Sequence, residues 1–279
     1  VAHFTRYNED FLTEFLTAAV AAGYDRFPLD LVTFHYFSTD ATRPTTFTKA
    51  AHEIIKSVYG DTSGKPRMAI TAWGLHGSGD FLYYDNVTGA AMMTQHLIAI
   101  QSTPVDFAIL YKWAGINCEK LASPCLVQAE TGLLKPNALS FVLHARLMSG
   151  HANQRLSAEL EDGHGGAVLA TLSNGSTPSL SILIAGTGPN TAPPTQLYVN
   201  NWEVACASNS SRLTTASVAV NGSVGALTET SVNGFLSSSV FYESGSSRPY
   251  TPPIEVDAHT GYFATLLTLS CAADGERRG

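Results

Sequence analysis

Apolar positions recur at helical spacing over residues 9–22, where Phe11, Leu12, Phe15, Leu16 and Val20 follow an Asn8 placed to cap the first turn. The period then changes. Leu29–Phe37 is short, largely apolar and entered through Pro28, as expected of a strand buried on both faces. Thr46, Ala50, Ile54, Ile55 and Val58 return to helical spacing over 46–58, and Pro66 opens a second buried strand at Met68–Trp73. A helix over Thr88–Ile100, a strand over Val105–Trp113 and a helix from Pro136 to about Met148 complete the first half. Strands alternating with helices predict a parallel α/β sheet.

The pattern changes after Gly150. Short β-rich runs follow at close spacing: Ala167–Leu172, Ser179–Ala185, Gln196–Val199, Ser217–Val220, Ser238–Tyr242 and Tyr262–Leu269. Asp162-Gly163, Asn174-Gly175 and Asn221-Gly222 between them are hairpin signals. Two domains are expected, an α/β domain over 1–149 and an all-β antiparallel sandwich over 150–279.

Composition narrows the function classes. Sixteen Lys and Arg against 23 Asp and Glu give a net charge of −7, and no basic run exists to neutralise a phosphate backbone, so nucleic acid is not an expected partner. No apolar stretch reaches the roughly 18 residues that span a bilayer, and no membrane span is expected. Val1 lies almost directly before a helix with no basic-then-apolar leader, an arrangement expected of a processed or trimmed start with more chain upstream. Four cysteines, Cys118, Cys125, Cys206 and Cys271, lack metal-site spacing. Of the three possible pairings, Cys118 with Cys125 and Cys206 with Cys271 is favoured, against four free buried thiols. N-glycosylation sequons at Asn86, Asn174, Asn209 and Asn221, together with paired cysteines, predict a secreted, extracellular glycoprotein.

The three strands of the first half end in similar side chains: Thr33-Phe34-His35-Tyr36-Phe37, Ile70-Thr71-Ala72-Trp73-Gly74 and Leu110-Tyr111-Lys112-Trp113. Ligands of parallel α/β folds bind at the carboxyl ends of the strands, where loops open and helix N-termini face the cavity. Trp73, Tyr111 and Trp113 offer flat faces to pyranose rings, and His35 and Tyr36 can hydrogen-bond hydroxyls or a carboxylate. Any one of them alone fits a core residue with one satisfied polar atom equally well. The three strand ends together favour a carbohydrate site.

The order of these segments resembles the last third of the barrel, about strands 6–8, in clan A glycoside hydrolases. The nearest group is family 39, the β-xylosidase and α-iduronidase group. Gly132-Leu133-Leu134-Lys135-Pro136-Asn137-Ala138 is similar to that family's connector into a β-sandwich. The resemblance implies the C-terminal part of a (β/α)8 TIM barrel followed by an antiparallel sandwich. It places the nucleophilic glutamate of Thr-Glu-Trp at Ala72, with His35, Tyr36, Trp73, Tyr111 and Trp113 around the substrate.

A retaining glycosidase needs two carboxyl groups roughly 5 Å apart. The Ala72 methyl cannot form a glycosyl ester, and the Asn-Glu-Pro segment that holds the acid/base residue has no counterpart here. Three strands cannot close a barrel, so an N-terminal half or second polypeptide is expected to complete it. Asp80, Asp85 and Glu130 are loop carboxylates better read as solvated than as substitutes. His76-Gly77-Ser78-Gly79 has no nucleophile elbow beside it, and Gly186-Thr187-Gly188 opens no helix. Neither a metal nor a cofactor is expected, and Glu161–Gly166 reads as a polar hairpin loop. The expectation is a glycoside hydrolase-like pseudoenzyme acting in glycan binding or extracellular structure, with homo- or hetero-assembly open to it. The alternative is a retaining β-glycosidase with its nucleophile replaced and its first half on another chain.

Overall fold

In the computed structural model, α1 (Glu9–Ala22) starts where the pattern places it: the Asn8 side-chain oxygen accepts the Phe11 N–H at 2.8 Å, and Glu9 and Asp10 face the positive end of the helix. Gly23, at φ +81°, ends it in a conformation that costs a side-chain-bearing residue strain. The residues described are 1–4, 7–23, 26–60, 65–75, 87–114, 118, 124–127, 132, 134–148, 154–160, 166–173, 178–187, 196–199, 211–219, 242–244, 254–255 and 262–271.

Two units divide the chain, one of Val1–Gly79 with His96–Trp113, the other of Asp80–Gln95 with Ala114–Gly279. The first contains a four-stranded, all-parallel sheet in the order β1 (Ala2–Phe4), β2 (Leu31–Phe37), β3 (Arg67–Gly74), β4 (Phe107–Leu110). Three of these strands were expected. The fourth, β1, is only three residues long, too short to show a period. Strand β4 is shorter than the Val105–Trp113 run that predicted it. The strands alternate with α1, α2 (Arg43–Tyr59) and α3 (Val87–Ile100). Leu12, Leu16 and Ala19 of α1, and Phe47, Ala51 and Ile55 of α2, form the buried stripes of their helices. Among the described residues the sheet does not close, since β1 and β4 each pair on one side only.

The second unit is built on a six-stranded antiparallel sheet. Its strands are β5 (Gln154–Leu156), β6 (Gly166–Ser173), β7 (Ser179–Gly186), β9 (Ser211–Ala219), β10 (Tyr242–Ser244) and β12 (Phe263–Cys271), in the order β10-β9-β12-β7-β6-β5. Two further strands, β8 (Gln196–Leu197) and β11 (Ile254–Glu255), pair separately. Strand β7 is buried along nearly its whole length. Leu180, Ile182 and Ile184 join Phe263, Leu267 and Leu269 in one core, flanked by Leu156, Leu160 and Val199. A turn at Pro136–Ala138 leads into α4 (Leu139–Leu147), which packs on β7 and β12, and the Thr171 hydroxyl donates to the Leu147 carbonyl at 3.0 Å. The expected Cys118–Cys125 disulfide is present, with Cα atoms 5.5 Å apart. The Cys206–Cys271 pairing and the sequons at Asn86, Asn174, Asn209 and Asn221 fall outside the described residues.

Candidate functional site

The carboxyl ends of β2 and β3 set the candidate site through an irregularity in register. Phe34 lies opposite Ile70, but the next pair is His35 opposite Ala72, so Thr71 is an extra residue in β3. Such a bulge re-aims the side chains that follow it, and here it brings Ala72 level with His35.

Adjacent strand residues face opposite ways, which sorts the expected site residues onto two sides of the sheet. On one side Phe34 packs with Phe4, Tyr7 and Phe47, and Tyr36 stacks on Phe47 at 5.5 Å between ring centroids. The Tyr36 hydroxyl donates to the Asp40 carbonyl at 2.7 Å and lies 3.1 Å from Nε2 of His96. Trp73 lies parallel to the His96 ring, centroids 6.4 Å apart. Tyr36 and Trp73 are 5% and 2% exposed, so both belong to the helix-covered side. Burial pushes the Tyr36 hydroxyl pKa up, and the Thr42 hydroxyl bonded to the Asp40 carboxylate is the main cause of its lowered pKa.

The other side carries Thr33, His35 and Phe37 of β2. The rings of His3 and His35 meet edge to face with centroids 4.3 Å apart. Nδ1 of His3 is 2.8 Å from the Thr33 hydroxyl and 3.4 Å from that of Thr71. The Phe37 ring meets Tyr111, just beyond β4, at 5.7 Å. Ala69 pairs with Thr33 on one strand and Phe107 on the other, which puts Phe107 and, by alternation, Ile109 on this side at 42% and 52% exposure. Tyr111 and Trp113 are 46% and 58% exposed. Burial, with His3 second, lowers the His35 pKa.

Of the residues expected around a ligand, the structure therefore puts His35, Ala72 and Tyr111 on the same, partly open side of the sheet, with Ala72 itself buried at 8% exposure, leaves Trp113 exposed beyond the end of β4, and turns Tyr36 and Trp73 away. A strand buried on both sides hides which alternate positions face which way, and the expected aromatic frame combined residues of both faces. Two histidines went unnoticed in the sequence. His3 sits in a strand too short to detect, and His96 lies within a helical pattern among nine scattered histidines. The open face can hydrogen-bond a polyol through imidazole and hydroxyl groups and stack a sugar ring on Tyr111. None of His3, Thr33, His35, Thr71, Ala72 or Tyr111 is a carboxylate, so these residues do not supply the carboxylate pair of a retaining glycosidase. The loop carboxylates Asp80, Asp85 and Glu130 fall outside the described residues. Among the described residues no group of three or more His, Cys, Asp or Glu could hold a metal ion.

The architecture has counterparts among solved structures. The α-L-arabinofuranosidase of Thermotoga maritima superposes with a TM-score of 0.63 at 12% identity, over 92% of this chain and 56% of that one. The fold is similar to part of that of glycoside hydrolases. A glucosidase from Croceicoccus marinus matches with a TM-score of 0.59 at 16% identity, over 97% of this chain and 59% of its own. A family 39 enzyme from Xanthomonas axonopodis pv. citri matches with a TM-score of 0.58 at 12% identity, over 95% and 59%. The resemblance to family 39 and its relatives drawn from the strand ends is met in the fold. At such identities the likeness concerns the fold alone. This chain spans between half and two thirds of the length of these structures, consistent with part of a barrel. No protein-family model and no curated protein matches the sequence.

Proposed function

We propose that this chain is the rear part of a glycosidase-type barrel followed by a β-sandwich, and that it binds carbohydrate at the strand ends without hydrolysing it. The observation that carries the reading is Ala72, buried and level with His35 on the side of the sheet that retains hydrogen-bonding and aromatic side chains. A methyl group has no lone pair with which to attack an anomeric carbon, while ring stacking and hydroxyl recognition do not need a nucleophile. The second half fits a sandwich whose first sheet is the six-stranded one. The sequons and the Cys118–Cys125 bridge favour a secreted glycoprotein.

A polypeptide carrying further parallel strands completes the barrel in this reading. The outer edges of β1 and β4, and the apolar side chains of Phe107 and Ile109, are the surfaces it covers. Calorimetric titration of the completed protein with xylo-, gluco- and uronic-acid oligosaccharides tests the reading. Saturable heat with at least one of them is expected, and no heat across the panel overturns it.

The second reading, a β-glycosidase whose nucleophile has been replaced, draws on the same position. It predicts that Ala72→Glu, supplied with the missing half, releases aryl alcohol from an aryl glycoside. The binding reading predicts that it does not.

A further inference from the structure

The three helices that alternate with β1–β4 all lie on one side of the sheet. Phe4 of β1 touches Phe11 and Phe15 of α1, Phe34 and Tyr36 of β2 touch Phe47 of α2, and Tyr36 and Trp73 meet His96 of α3. That is the single winding of a barrel, whereas a doubly wound sheet carries helices on both faces. The other side, with Thr33, His35 and Phe37 of β2 and Phe107 and Ile109 of β4, is covered by none of α1, α2 or α3. All-parallel sheets are buried on both faces as a rule, yet Phe107 and Ile109 remain about half in water.

Strand number and edge geometry narrow what fits against that side. Among the described residues both edges of the sheet are open, since β1 pairs only with β2 and β4 only with β3. Eight parallel strands close a barrel whose interior is filled by side chains, and this sheet supplies four of them. A twofold axis along the strands sets β4 of one copy beside β1 of another, and the same contact recurs at the second seam. One self-complementary interface then satisfies both edges of both copies. Such an axis also keeps every strand pointing the same way, as the parallel pairing within the sheet requires. The two edge strands are similar in length, β1 with 3 residues and β4 with 4. The uncovered sides meet in the interior, where Phe107 and Ile109 leave water. His3 and the Thr33 hydroxyl, already 2.8 Å apart, enter it as a satisfied pair, which limits the cost of burying them. Phe11, 57% exposed on the flank of α1 beside Phe4, lies at the same seam.

We propose that a second copy of this chain closes the barrel, with β1 of each copy pairing in parallel with β4 of the other and the side chains of Phe107 and Ile109 buried between the two sheets. The inference rests on the reading of the sheet as part of a barrel and names the polypeptide that completes it. It adds that the interface is symmetric and that the chain needs no different partner to cover its open edges.

Sedimentation equilibrium on the whole unglycosylated chain, across micromolar concentrations, is the test. A mass twice the 29.7 kDa of the chain is expected. Phe107→Lys and Ile109→Lys each place an unpaired ammonium in the closed interior and are expected to raise the dissociation constant by at least about tenfold. Both side chains are half-exposed in the single chain, so far-UV circular dichroism is expected to show each variant folded. Tyr198→Lys, at a residue 70% exposed in the antiparallel half, is the control and is expected to leave the dimer intact. A monomer at every concentration overturns the proposal and leaves carbohydrate binding, with a different polypeptide closing the barrel, as it stands. A dimer that survives both β4 variants, or one that Tyr198→Lys dissociates, overturns it as well. A dimer that behaves as expected but gives no heat with any oligosaccharide bears out the closure and overturns the carbohydrate reading alone.

Discussion

Replacing Trp73 by alanine separates the two faces of the β2–β3 pair more sharply than any other single change. The indole is 2% exposed and lies parallel to the His96 ring on the helix-covered side, so its removal empties a space that the packed neighbours cannot fully close. Truncations of this kind cost about 3–5 kcal/mol. With a urea m-value of about 2 kcal/mol per molar, a 4 kcal/mol loss lowers the denaturation midpoint by about 2 M. Trp113, 58% exposed, provides the control, because exposed substitutions stay within about 0.5 kcal/mol. Urea titrations followed by far-UV circular dichroism, run beside oligosaccharide titrations, give both readouts. Trp73→Ala is expected to lose stability and Trp113→Ala to lose affinity. A Trp73→Ala protein that keeps its midpoint but no longer binds sugar would refute the assignment of faces.

Other consequences follow from the helices and the disulfide. His144 is buried, its Nδ1 faces the Ser140 carbonyl at 3.1 Å, and burial lowers its pKa to about 4. Its native pKa lies below the unfolded value of about 6.5, so the stability it permits is complete above that value and falls as pH drops toward 4, by about 3 kcal/mol in all. A His144→Leu variant should show a flatter melting-temperature profile between pH 7 and pH 4. Asn8→Ala removes the acceptor for Phe11 N–H and should cost about 1 kcal/mol in chemical denaturation, with Asn8→Ser close to neutral. Cys118 and Cys125 are 7 residues apart, and loop-closure entropy for so short a loop makes the bridge worth about 2 kcal/mol. A Cys118→Ser, Cys125→Ser double variant should lose that much in urea.

Much of the parallel sheet could be read from the chain because its signals are local. The Asn8 cap and the four-residue spacing of Leu12 and Leu16 fix α1 without reference to any other segment. Strand β1 escaped because three residues show no period, and with it went His3, half of the imidazole pair. The placing of Tyr36 and Trp73 could not be read either. In a run as apolar as Leu31–Phe37 both faces carry large apolar or aromatic side chains, so alternation is silent about which face meets a helix. The register shift at Thr71 has no sequence signal at all, although it decides that Ala72 stands level with His35. In the second half the pairing of β12 with β7 joins residues about eighty positions apart, and hairpin signals between neighbouring runs carry no information about such a partner.

The central claim, binding without hydrolysis, is tested most directly by incubating the completed protein with a xylo- or uronic-acid oligosaccharide that it binds in calorimetry, then assaying the recovered sugar for new reducing ends. The account predicts saturable binding and quantitative recovery of the intact oligosaccharide. Release of reducing ends that is abolished with the protein's fold, or the absence of binding to every oligosaccharide in the panel, would contradict it.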